Sequence, residues 1–223
     1  MTENYEKLIS DLVNRGYLKT PDIINAFREV DRGDFVPGDI KSAAYLNQAL
    51  PIGRNQTISQ PLVVAFMLEL LEPVAGEKIL DIGLGSGWQA AILAQIVGRN
   101  GRIVALERIP ELFEFAKKNL AKRKFVKKGL VRPFLCDGSL GFEKEAPFDK
   151  IVAAASARKI PRAWKEQLKV GGVIVAPVGE SIIRLEKVGA RKFEKKEFYG
   201  FSFVPLITGG VGELQLLIRP VPI

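Results

Sequence analysis

An α/β fold is predicted, built on a mostly parallel sheet with a helical extension before it and antiparallel strands after it. Three observations in the 223-residue sequence carry that expectation. From residue 76 onward, short β-branched runs alternate with amphipathic stretches, the pattern of βαβ units. The first run leads through Ile79-Leu80-Asp81-Ile82 into Gly83-Leu84-Gly85-Ser86-Gly87-Trp88, a buried strand entering a glycine-rich turn that opens a helix. Beyond residue 180, apolar and charged residues alternate with period two on either side of Gly189-Ala190, which reads as a hairpin.

The elements follow in order. Tyr5, Leu8, Ile9, Leu12 and Val13, then Ile23, Ile24, Phe27 and Val30, recur at helical spacing. Gly16 and Thr20-Pro21-Asp22 separate these two helices, with Thr20 placed to cap the second and Pro21 at its first position. Residues 31–58 read as a structured loop, punctuated by Pro37, Gly38, Pro51 and Gly53. Pro61 opens a helix through Leu71 that is apolar nearly all round, hence buried. Strands are expected at 77–82, 102–107, 130–136, 148–154 and 172–177, and helices at 88–97, 110–123 and 161–168. The hairpin comprises 181–188 and 192–198, and two more strand-like runs follow at 201–207 and 213–219. No repeat or low-complexity linker interrupts the chain, so one domain is expected, with stretches 1–72, 73–180 and 181–223.

Composition narrows the chemistry. No histidine is present, which removes imidazole bases and the commonest transition-metal ligand. Cys136 is the only cysteine, so there is no internal disulfide and a cytoplasmic setting is expected. No metal site is expected from this inventory. No apolar stretch reaches the roughly 20 residues of a membrane span, and the polar first residues do not read as a secretory signal. The net charge of +8 concentrates in Lys117–Lys128 and Arg191–Lys196. The runs read as solvated surface rather than a nucleic-acid face, because almost no aromatic residue is interleaved with the lysines.

The glycine spacing selects among ligands. A phosphate loop needs Gly-Lys-Ser/Thr, but Gly87 precedes Trp88-Gln89. A dinucleotide fingerprint runs G-x-G-x-x-G, whereas Gly83, Gly85 and Gly87 are spaced G-x-G-x-G. Glu107, at the end of the second strand of this region, is suited to a ribose diol, and Asp137, after the third, to an adenine amino group. With Asp81, one acidic residue stands after each of three strands. That arrangement is expected of an S-adenosylmethionine site, although each residue alone would read as a turn or cap.

Residues 50–61, Leu-Pro-Ile-Gly-Arg-Asn-Gln-Thr-Ile-Ser-Gln-Pro, resemble the signature of the protein-L-isoaspartate O-methyltransferases. The resemblance extends through Asp34-Phe35-Val36-Pro37, Glu107-Arg108-Ile109-Pro110, Asp137-Gly138, Pro177-Val178-Gly179 and Phe203-Val204-Pro205-Leu206. It covers roughly residues 20–207. It implies a Rossmann-like, S-adenosylmethionine-dependent methyltransferase sheet, with helices and a substrate loop in 1–72 and a cofactor-binding core in 73–180. The implied activity is methylation of the free α-carboxylate of L-isoaspartyl residues in damaged proteins and peptides, with S-adenosyl-L-homocysteine as product. The ester then collapses to a succinimide, which is a repair step. No membrane or stable nucleic-acid partner is implied, and the expected state is a monomer.

By position, Ser59 matches the active-site serine of that family, whereas alone it would read as a helix cap. Gln56, Thr57, Ile58, Val204 and Pro205 match the substrate cleft. Asp81, Gly83, Gly85, Ser86, Gly87, Gln89, Glu107, Arg108, Asp137 and Gly138 match the cofactor site. Departures fall beside the substrate loop. Asn55 stands where glycine is common, Asn47 where an acidic residue is usual, and Ile207 where threonine is frequent. Ala153–Arg158 replaces a stretch that more often contains threonine and proline. Two other readings are a methyltransferase of RNA or a small molecule, and a binding protein without turnover.

Overall fold

The computed structural model describes residues 2–209. Two helices, α1 (Glu3–Asn14) and α2 (Pro21–Glu29), open the chain. Thr20 stands at the cap position, but its hydroxyl does not cap α2. It donates instead to Glu69 at 2.8 Å, and the backbone N–H groups of Lys19 and Thr20 meet the same carboxylate. Glu69 lies on α3 (Pro61–Leu71), so a tertiary carboxylate satisfies donors that a local cap was expected to take.

Between α2 and α3 the expected loop holds more order than the sequence suggested. Two 3₁₀ turns, Arg32–Asp34 and Gly38–Ala43, precede an antiparallel hairpin of β1 (Leu50–Gly53) and β2 (Gln56–Ile58). Its tip places Arg54 and Asn55 at φ 53° and 56°. Consecutive left-handed residues make the turn whose twist suits a tight hairpin. Asn tolerates this geometry, which explains how the turn forms without a glycine at 55.

A seven-stranded sheet follows, in spatial order β5-β4-β3-β6-β7-β8-β9. Its strands are β3 (Lys78–Ile82), β4 (Arg102–Glu107), β5 (Val131–Leu135), β6 (Phe148–Ala153), β7 (Leu168–Val178), β8 (Ser181–Lys187) and β9 (Phe193–Tyr199). The pairs from β5 to β7 are parallel, joined by α4 (Trp88–Val97), α5 (Pro110–Lys122) and α6 (Arg162–Gln167), as the alternating pattern predicts. The hairpin β8–β9 adds the antiparallel end.

Side chains alternate between two cores. Ile79, Ile103, Ala105, Val131, Val152 and Val175 face the layer that contains α1 to α5. Leu80, Ile82, Val104, Leu106, Ile151 and Ile174 face the opposite layer, where Trp164, Phe142 and Phe148 pack. Residues 201–207, expected as a strand, form only a single bridge between Ser156 and Pro205. The segment is held by packing instead, Phe201 and Phe203 against one core and Leu206 against the other. The run 213–219 lies outside the described residues.

The helical extension is anchored to the sheet layer through Trp88, which is 1 % exposed. Its ring meets Phe27 edge-on at 5.5 Å, and its Nε1 donates to the Val30 carbonyl at 3.2 Å. The buried Tyr5 hydroxyl lies 2.8 Å from the Phe27 carbonyl and 2.9 Å from that of Val30. Tyr5→Phe is expected to destabilise the protein by about 1 kcal/mol, lowering Tm by roughly 2–4 °C. An unchanged melt would show that the hydroxyl adds nothing beyond ring burial.

Candidate active site

Strand order reverses at β3, since β4 lies on one side of it and β6 on the other. Such a switch point leaves a crevice beyond the carboxyl ends of the strands. Here an open cleft is lined from four neighbouring strand ends: Ile82, Gly83 and Gly85 after β3, Glu107 and Arg108 after β4, Cys136 and Gly138 after β5, and Ala154 and Ala155 after β6. Gln56 and Thr57 reach it from the β1–β2 hairpin, and Pro205, Leu206 and Ile207 from the C-terminal segment.

The glycine turn is pulled hard against β4. The N–H groups of Gly83 and Leu84 both donate to the Leu106 carbonyl at 2.9 Å, and Gly85 N–H donates to the Glu107 carboxylate at 2.8 Å. Gly83, Gly85 and Gly87 take φ of 86°, 55° and 88°, conformations that a side chain would strain. The Ser86 hydroxyl accepts from Trp88 N–H at 3.4 Å, while Asn119 on α5 holds the Ser86 carbonyl at 3.0 Å.

Glu107 plays a larger structural part than expected. Besides Gly85 N–H, it accepts from the N–H groups of Arg108 and Ile109 at 2.8 and 2.9 Å. Asp137 also serves the backbone, accepting from Ser139 N–H at 2.8 Å and Gly209 N–H at 2.9 Å. These bonds, with the coulombic effect of Arg108, lower its pKa although burial acts the other way. The Arg108 guanidinium donates to the Gly209 carbonyl at 3.1 Å, so Arg108 and Asp137 clasp the end of the described chain across the cleft rim.

Asp81 differs from both. It is 1 % exposed, and Gln89 Nε2 donates to its Oδ1 at 2.7 Å. Among the described residues its Oδ2 has no partner, and neither does Arg108 Nη1. Burial raises the Asp81 pKa to about 7 despite the Gln89 bond, with nearby Glu107 adding to the rise. Cys136 is also buried, and its thiol is pushed up to about 12 by burial and then by Asp137 and Glu107. Such a thiol is a poor nucleophile.

Of the residues matched to the cofactor, Gly83, Gly85, Glu107, Arg108 and Gly138 line the cleft, whereas Asp81, Ser86, Gly87, Gln89 and Asp137 stand behind it or beside it. On the substrate side, Gln56, Thr57 and Pro205 line it, and Ile58, Ser59 and Val204 do not. Ser59 is half-buried, and its hydroxyl makes no hydrogen bond to a described residue. The N-cap of α3 is Gln60, so the capping alternative for Ser59 is not realised. Asn47 takes that capping role from a distance, its Oδ1 accepting from Leu62 N–H at 3.0 Å. The apolar lining at Leu106 and Leu112 was not assigned to the site from sequence, where these residues look like core; Ile109 and Ala155, which also line the cleft, fall in stretches that the family resemblance marks.

The Asp81 shift has a definite sign. Between about pH 4 and pH 7 the unfolded chain has released the proton that the folded chain still holds. Stability therefore falls as pH rises through that window. Asp81→Asn, which keeps an acceptor for Gln89, is expected to flatten this slope in urea melts across the window. Equal slopes for the two proteins would show that Asp81 ionises normally.

The family pattern described as protein-L-isoaspartate(D-aspartate) O-methyltransferase (PCMT) matches residues 3–210. A protein-L-isoaspartate O-methyltransferase of Methanopyrus kandleri is 41 % identical over 206 residues, covering 91 % of this chain and 90 % of its own length. Protein-L-isoaspartate O-methyltransferase 1 of Archaeoglobus fulgidus is 46 % identical over 185 residues, 82 % of this chain and 84 % of that one. Among solved structures, a Plasmodium falciparum protein described as a methyltransferase of this kind, in complex with S-adenosyl-L-homocysteine, superposes with a TM-score of 0.83. It covers 92 % of this chain and 99 % of its own, at 23 % identity, and so supports the fold. With the pattern spanning nearly the whole described chain, this protein belongs to the protein-L-isoaspartate(D-aspartate) O-methyltransferase family.

Proposed function

We propose that this chain transfers a methyl group from S-adenosylmethionine to the free α-carboxylate of an L-isoaspartyl residue, in a repair reaction. The carrying observation is family membership over residues 3–210, joined to an open cleft at the sheet's switch point. The residues present fit the cofactor. The glycine turn takes positive φ at the end of β3, and Asp81 Oδ2, fully buried beside it, has no hydrogen-bond partner among the described residues. A histidine-free site is no handicap, because the acceptor carboxylate is already ionised near neutral pH and no base is required.

When bound, S-adenosylmethionine supplies an activated methyl: a carboxylate oxygen bonds to the methyl carbon as the carbon–sulfur bond breaks, and sulfur keeps the electron pair. The protein supplies alignment and a dry environment. Gln56, Thr57, Ile58 and Ser59, with Val204 and Pro205 opposite, are assigned to the acceptor side. The Ser59 hydroxyl is assigned to orient a carboxylate oxygen by donating to it. Asp81, Gly83, Gly85, Ser86, Gly87, Gln89, Glu107, Arg108, Asp137 and Gly138 are assigned to the cofactor side, Asp81, Ser86 and Gln89 by shaping the turn from behind.

An RNA acceptor finds little support. In the basic run, Lys122 and Arg123 are spent on the Asp34 and Glu29 carbonyls, with Arg123 also paired to Asp34, and Lys117 pairs with Glu114. Cys136 is too buried and too weakly acidic for a nucleophile. No helix among the described residues is long and apolar enough to cross a membrane. A monomer working in the cytoplasm is the setting assigned.

Methyl-labelled S-adenosylmethionine, mixed with the protein and an isoaspartyl peptide, is expected to give base-labile ester. A matched aspartyl peptide should take none. Equal label in the two peptides, or base-stable label in RNA alone, sinks the assignment. Ser59→Ala is expected to lower kcat/KM by about 10- to 100-fold while S-adenosylhomocysteine affinity holds. A variant with wild-type turnover would remove Ser59 from the reaction.

A further inference from the structure

Arg32 opens the first 3₁₀ turn and is fully buried, at 0 % exposed. A buried arginine ordinarily meets a carboxylate. This one spends its Nη donors on four backbone carbonyls instead. Nη1 reaches Ala44 at 2.6 Å and Leu46 at 3.4 Å, and Nη2 reaches Gln48 at 3.0 Å and Ser59 at 3.1 Å. The neighbouring Asp31 carboxylate is engaged by Gly33 N–H and the Tyr45 hydroxyl. Burial draws the Arg32 pKa down to about 10, which leaves it charged at neutral pH.

The four carbonyls lie on the two stems of one feature. Residues 44–48 enter the β1–β2 hairpin and Ser59 leaves it, and the hairpin carries Gln56 and Thr57 into the cleft. On its other side the guanidinium lies over the Trp88 ring, 5.4 Å from the centroid. Trp88 is the first residue of α4, directly after Gly87 of the glycine turn. One rigid, planar fork therefore touches the stems of the proposed acceptor loop and the helix that starts at the proposed donor site.

We propose that Arg32 is a positioning residue for methyl transfer, holding the Ser59 segment in register with the glycine turn so that acceptor and donor are presented at reacting distance. The proposal rests on assigning Gln56–Ser59 to the acceptor side. Chemistry that needs no base depends on alignment, and a displacement of about 1 Å can cost about 10²-fold in rate. A lysine at this position keeps a cation but has three donors on one atom. It does not reproduce the two-nitrogen fork that serves Ala44 from one nitrogen and Gln48 and Ser59 from the other.

The test compares the full-length wild type with Arg32→Lys and Arg32→Met. Calorimetry with S-adenosylhomocysteine counts folded sites, so that kinetics are expressed per binding-competent molecule. Arg32→Lys is expected to bind within about twofold of wild type, while kcat/KM for the isoaspartyl peptide falls by about 10²-fold. Backbone hydrogen exchange in Arg32→Lys should accelerate across 44–60 and not in β4. Normal kcat/KM per site, however far Tm falls, overturns the proposal and leaves Arg32 a purely stabilising residue, and so does exchange that rises evenly through the chain. Should wild type bind S-adenosylhomocysteine yet leave the peptide unmethylated, the substrate assignment fails by itself. The exchange pattern then still decides whether Arg32 holds the loop. If Arg32→Met does not fold, Arg32→Lys carries the comparison.

Discussion

The Glu107 carboxylate is the interaction on which the site depends. It carries a buried charge on three backbone N–H donors, from Gly85, Arg108 and Ile109. Charge-assisted bonds of this kind are the strong ones, and a buried carboxylate without them would be costly. By accepting from both sides of the cleft floor, Glu107 draws the β3–α4 turn onto the end of β4. The turn can come that close only because glycine occupies 83, 85 and 87 with positive φ. The start of α4 and the placement of Trp88 follow from that contact.

Trp88 passes the constraint outward. It packs on Phe27 and bonds the Val30 carbonyl, so the helical extension is seated on the same helix that begins at the glycine turn. The extension in turn delivers Arg32 and the hairpin, and Glu69 on α3 ties down the start of α2. On the far rim, Arg108 and Asp137 hold Gly209, while Ser156 exchanges backbone bonds with Val204 and Leu206 at 2.8 Å. The cleft is thus walled by segments more than a hundred residues apart in sequence, each fastened to a strand end. A reaction that needs alignment more than acid–base chemistry suits such a frame.

Two departures from the family pattern make local sense. Asn55 adopts the left-handed geometry that glycine would take at the hairpin tip, at φ 56°. Asn47 uses its amide oxygen to cap α3 at Leu62, a bond an aspartate would make with added charge. The β1–β2 hairpin therefore forms with asparagine at both positions. Alanines at 154 and 155 leave the cleft wall after β6 apolar and small. Nothing in the structure explains isoleucine at 207 beyond its place on the cleft wall.

Much of the architecture was legible in sequence because periodicity is local. The strand and helix runs from residue 77 to 198, the glycine turn and the hairpin about Gly189 were all readable from spacing and turn residues. Motif spacing also pointed to S-adenosylmethionine and to the family. The chain could not announce which donors a carboxylate would meet, because partners such as Gly85 for Glu107 or Gly209 for Asp137 lie 22 and 72 residues away. For the same reason Thr20 looked like a cap and 201–207 looked like a strand, although Glu69 and side-chain packing were the outcome. Arg32 was not singled out in the sequence. Its role exists only where four carbonyls and an indole converge, since the worth of a buried charge is set by what surrounds it and not by its neighbours in sequence.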